Sequence, residues 1–189
     1  MSIKTSTCHQ SNTGRTLSLA NDQVRPQAGI ATAMFARRHA LKELRLNANF
    51  VTDTATMCVF DIASLKHRLE DDADWWSIPD AELEEVNRGN VAFLNLGSDG
   101  RYSFTFAEQV QYPQVEMNLH VPSGRLFVGA AEEVTADGLE PEALRGGMFI
   151  DVQPGEYMLR VSRNGTEISL SLHLAHSSKR NEFDSLIRI

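Results

Sequence analysis

Cysteine is almost missing from this chain: 189 residues contain only Cys8 and Cys58. One lies in a polar tail and one in an apolar stretch, which excludes a disulfide framework and points to a reducing, cytoplasmic setting. No uncharged apolar run approaches the roughly 20 residues that a membrane-spanning helix needs. Residues 1–29 lack the central apolar region of a secretory signal. A phosphate-cradling glycine loop is missing too, because Gly146-Gly147 leads into a strand pattern rather than a helix. His173 and His176, spaced to fall on opposite faces of a strand, make poor metal ligands. Asp71, Asp72 and Asp74 lack the glycine and terminal glutamate of a calcium loop. No nucleophile–base pair is signalled. The expectation is a protein without enzymatic activity, metal or cofactor.

Positive charge is scarce and unevenly placed. The net charge is −7. Residues 1–49 hold seven Lys and Arg against two acids, net +5, so the remainder carries −12. A body this acidic should repel nucleic acid and attract basic partners, although net negative charge also serves solubility alone. Residues 1–27 read as a disordered polar tail. Residues 28–46 show a helical period with Ile30, Met34, Leu41 and Leu44 near one face. The 1–49 segment is therefore expected to be a basic arm, partly disordered and partly helical, packed on the acidic body.

From Phe50 onward, period-two alternation dominates. Tyr102, Phe104 and Phe106 oppose Arg101, Ser103 and Thr105, and Met117, Leu119 and Val121 oppose Glu116, Asn118 and His120. Ser98-Asp99-Gly100 and Asn164-Gly165 read as hairpin turns, Pro122-Ser123-Gly124 and Pro154-Gly155 as further turns. Val91–Leu96, nearly continuous in apolar residues, reads as a central strand. The fold expected is mainly β, an antiparallel β-sandwich of seven to eight strands over residues 50–176. It carries a small two-helix insert at 62–89, an N-terminal helical arm and a C-terminal tail at 177–189, of which Phe183, Leu186 and Ile187 could dock. The core should include Val59, Phe93, Phe104, Met117, Val128, Ile150, Leu159, Leu170 and Leu172.

The insert is the feature that a plain sandwich does not need. Asp61 is expected to cap its first helix, Ser77 with Asp80 to cap its second, and Gly89 to stop it. Between Glu70 and Glu85 stand eight carboxylates, no Lys or Arg, and the protein's only two tryptophans. Trp75 and Trp76 are adjacent, so one should be buried and the other exposed, unless both lie beneath the insert. Asp71, Asp72, Asp74, Trp75, Trp76, Asp80, Glu82, Glu84 and Glu85 are the candidate partner-binding residues. An exposed aromatic among carboxylates is the composition of an interface anchor with an electrostatic lure for a basic protein.

Met57-Cys-Val-Phe-Asp61, Trp75-Trp76-Ser77, Asn87-Arg-Gly-Asn-Val-Ala-Phe93 and Gly100, followed by Val121-Pro122 and Ile150–Tyr157, resemble the competence protein J family of nuclease inhibitors. The chain is also similar to an uncharacterised bacterial family. The long basic arm and longer acidic insert depart from the inhibitor pattern. The resemblance implies a cytoplasmic, immunity-type bacterial protein that neutralises a toxin or nuclease by binding it. The alternative is a ligand-binding sandwich that presents Ser103, Thr105, Asn118 and His120 on an outer sheet face to a sugar or other small molecule.

Overall fold

Alternation of apolar and polar side chains resolves into two stacked sheets in the structure, a computed structural model that describes residues 46–134 and 141–189. The tail expected at 1–27 and the helix expected at 28–46, apart from Leu46, lie outside those residues. Nine strands are described: β1 (Asn47–Thr52), β2 (Thr56–Asp61), β3 (Val91–Asn95), β4 (Gly100–Phe106), β5 (Val115–Val121), β6 (Arg125–Ala130), β7 (Met148–Asp151), β8 (Gly155–Asn164) and β9 (Glu167–Leu174). Phe50–Asp61, legible as one strand or two, is two, which takes the count past eight.

One sheet has the order β1-β4-β9-β8-β5 and the other β3-β2-β6-β7. Every pairing is antiparallel except β4 with β9, which run parallel. The Asn164-Gly165 hairpin forms as expected, with Asn164 opposite Glu167. The turn at Ser98-Asp99-Gly100 is not a hairpin: β3 belongs to the four-stranded sheet and β4 to the five-stranded one. The turns at 122–124 and 154–155 likewise pass the chain from sheet to sheet. The β8–β9 hairpin then inserts between β4 and β5.

Phe104, Met117, Leu159 and Leu170 from the larger sheet are buried, as are Val59, Val128 and Ile150 from the smaller. Leu172 is only half-buried. The smaller sheet is covered on one face by its partner sheet and over β3 and β2 on the other by the insert, so all six residues of β2 are buried. That two-sided burial also corrects the reading of β3, which is an edge strand rather than a central one. Its continuous apolar run records two covered faces, not a middle position.

Both open sides of the sandwich are closed by irregular chain. On one side Val51 donates its N–H to the Arg145 carbonyl at 2.7 Å, and Gly147 donates to the Asn49 carbonyl at 2.8 Å. Gly146 sits there at φ 84°, where a Cβ would come within 2.3 Å of the Asn49 carbonyl oxygen. Only glycine allows that approach. On the other side the C-terminal segment runs between the edges β3 and β5. Asn181 is buried, with its amide donating to the carbonyls of Val86 at 2.7 Å and Asn118 at 3.0 Å and accepting from the Asn118 N–H at 2.7 Å. Ile187 enters the core and its carbonyl accepts from the Asn95 N–H at 2.8 Å.

Candidate functional site: the acidic insert

The insert starts where β2 ends. Asp61 is fully buried, and its carboxylate accepts from the Ala63 N–H at 2.9 Å and from the Ser123 N–H at 2.7 Å. It caps the segment as the sequence predicts, while pinning it to the turn between β5 and β6. The segment itself, Ile62–Arg68, is a 3₁₀ helix, as is Trp75–Ser77. One α-helix follows, α1 (Pro79–Arg88). Its N-cap is Ile78 rather than Ser77, whose hydroxyl instead donates to the Asp74 carbonyl at 2.8 Å. Pro79 fills the first helical position, where no N–H is needed. Gly89, left-handed at φ 77°, ends the helix as expected. It packs against β5, where an added Cβ would stand 3.2 Å from the Asn118 carbonyl oxygen.

Both tryptophans serve as the lid of the smaller sheet. Trp75 is buried and meets Phe93 edge-on at 6.2 Å; Trp76 is half-buried and stacks on the same ring at 6.1 Å. The Arg68 guanidinium lies 4.9 Å above the Trp75 ring. A single phenylalanine on β3 thus receives both neighbours, one edge-on and one stacked.

The eight carboxylates fall into two groups, with Glu82 apart from both. Glu85 is fully buried and acts as a hub: Arg68 Nε at 3.0 Å and Nη2 at 2.9 Å, and His67 Nε2 at 2.9 Å, reach one oxygen, while Asn90 Nδ2 donates to the other at 2.7 Å. Burial alone would raise the Glu85 carboxyl, but the donors Asn90, His67 and Arg68 outweigh it and hold the group below its ordinary range. Asp71 pairs with Arg68 at 2.8 Å, and Glu84 pairs with Arg88. These three carboxylates hold the insert together. Glu82, half-buried on α1, is different again: burial pushes its carboxyl up to about 7.

Glu70, Asp72, Asp74 and Asp80 form the second group. All four are exposed and make no ion pair among the described residues. Among them stand two exposed apolar side chains, Ile78 at 55% and Leu69 at 38%. Of the nine residues picked from the sequence, Asp72, Asp74 and Asp80 are therefore presented to solvent. Trp75 and Glu85 are enclosed, and Asp71 and Glu84 are engaged internally. Ile78 was not among the nine. Its signal was an apolar residue at a helix N-cap, a position where a small polar side chain is preferred.

The outer-face alternative does not assemble. Ser103 and Thr105 lie on β4, Asn118 and His120 on β5, and β9 and β8 run between them. Three strand spacings separate the pairs by about 14 Å. Asn118 is tied to Asn181, and His120 Nδ1 lies 2.7 Å from Glu156. Cys58 is fully enclosed, and burial pushes its thiol well up, away from the nucleophilic thiolate. Among the described residues no cluster of three or more His, Cys, Asp or Glu side chains could hold a metal ion, and no helix is long and apolar enough to cross a membrane.

Two solved structures are similar to this chain. "Crocagin biosynthetic gene J" aligns at 14% identity and a TM-score of 0.46, over 70% of this chain and 99% of the other. ComJ from Bacillus subtilis, described as the inhibitor of the DNA degrading activity of NucA, aligns at 11% identity and a TM-score of 0.38, over 67% and 93%. No curated protein matches the sequence. The family of unknown function DUF6386 matches residues 44–189, which take in both sheets, the insert and the C-terminal segment, and the chain belongs to that family.

Proposed function

We propose that this is a non-enzymatic, immunity-type protein of the bacterial cytoplasm that binds and neutralises a basic toxin, in its narrowest form a nuclease. The observation that carries the reading is the set of exposed carboxylates Glu70, Asp72, Asp74 and Asp80, which make no ion pair among the described residues, on the stretch that also exposes Ile78. A nuclease grips phosphates with lysine and arginine, so its substrate face is the surface such a patch would meet. The resemblance of the sequence to the competence protein J inhibitors supports the same direction. Rim carboxylates accelerate encounter, and an apolar anchor that becomes desolvated slows release.

The test is a binding titration against the product of a neighbouring toxin gene at two salt concentrations. Asp72, Asp74 and Asp80, changed together to Asn, should lower the association rate and flatten its salt dependence while leaving thermal stability in place. Unchanged rates and an unchanged salt slope in that variant would move the interface off the insert.

A further inference from the structure

Beyond the insert, the outer face of the smaller sheet is left partly uncovered. Phe60, Phe127 and Phe149 stand directly opposite one another on β2, β6 and β7, and their rings touch in sequence, with centroids 5.9 and 5.2 Å apart. The insert covers the β3 end of this face. Towards β7 a cleft of about 490 Å³ remains, floored by the phenylalanine row and walled on one side by Ile62 and Ala63. Phe60 and Phe127 are buried, whereas Phe149 is half-buried and offers ring surface to the cleft. The Arg125 guanidinium lies 4.1 Å from the Phe149 centroid, making one flat, cationic shelf with it. Asp151 stands across the ladder from Arg125. Lys66 is the third charged residue of the cleft. It is exposed and makes no ion pair among the described residues, and with Arg125 and Asp151 counted the charges in the cleft sum to +1.

We propose that this cleft binds a small flat aromatic anion, an aryl carboxylate, with its ring against Phe149 and Ile62 and its carboxylate at Lys66. The volume lies within the range of small-molecule sites, roughly 300–1,000 Å³, and the lining has their composition, apolar walls with few charged groups. A flat ring suits a floor of aromatic edges and faces. An anion suits Lys66, which makes no ion pair among the described residues. The site is separate from the protein-binding surface proposed above, and neither depends on the other.

The test is calorimetric titration of the full chain with naphthoate, set against naphthalenemethanol and naphthylmethylamine as neutral and cationic isosteres. Naphthoate should saturate at ~1 mM or below, the level ordinary for a ligand of that size. The two isosteres should bind more weakly. Lys66→Glu should lose about tenfold or more in affinity, as expected for a charge-assisted contact, while Lys66→Arg retains binding. Ala63→Phe should fill the cleft and abolish binding. Thermal melts check the fold of each variant. If Ala63→Phe does not fold, the two Lys66 variants decide alone, because that exposed side chain can be changed without touching the core. The proposal is overturned if naphthoate fails to saturate, if the amine binds as well as the acid, or if Lys66→Glu binds like the parent.

Discussion

Two glutamates one turn apart on the same helix have opposite fates, and each sets a pH dependence of its own. Glu85 is held below its ordinary range, so its stabilising contribution is present above the unfolded value near 4.5 and is lost as pH falls through the lower folded value. Glu85→Gln should cost about 2–3 kcal/mol at neutral pH by leaving Arg68 short of its partner, and should flatten the acid limb of the stability curve. Urea denaturation across pH 3–8 measures both. Glu82 is held high, at about 7 against 4.5. The folded state therefore keeps a proton that the unfolded state has released, and stability declines as pH rises between those values. Glu82→Gln should match the parent near pH 4 and exceed it at pH 8 by about 1 kcal/mol, a figure reduced because the side chain is partly solvated. A variant less stable than the parent at pH 8 would contradict it.

At the scale of elements, strand positions were legible because a half-buried strand alternates in sequence as it does in space, as Tyr102–Phe106 and Val115–Val121 show. Sheet membership was not legible. Ser98-Asp99-Gly100 has the residues of a hairpin turn, but those residues serve any tight reversal, and nothing local records which sheet the chain enters next. The insert shows the same limit. Its carboxylates looked uniformly available because no cation lies between Glu70 and Glu85, yet Arg68 and Arg88, just outside that stretch, engage Asp71, Glu84 and Glu85. What remained visible was the outer group that makes no ion pair among the described residues, and the apolar Ile78 beside it in the chain can be tested alone: Ile78→Ala should raise the dissociation rate of a bound partner with little change in association. The C-terminal segment, legible only as a tail with three apolar residues, is a structural strap. Asn181→Ala removes four hydrogen bonds from a buried site, and should cost about 2–3 kcal/mol in chemical denaturation.

Taken as a whole molecule, the two sheets differ in how much of the chain each must wait for. The four-stranded sheet is complete by Asp151, and its two antiparallel pairs β2–β3 and β6–β7 are close in sequence. The five-stranded sheet has β9 at its centre, between β8 and β4, and β4 ends at Phe106 while β9 begins only at Glu167. During synthesis β4 therefore leaves the ribosome long before its parallel partner exists. At translation rates of about 5–20 residues per second, the nascent chain carries that unpaired edge for several seconds. Aggregation is a hazard of this interval, and holdase chaperones are the expected safeguard. Ribosome-stalled chains that expose residues up to 165 should remain open to protease, and those that expose all 189 should resist it. The parallel pair thus delays completion of the larger sheet until its central strand has emerged.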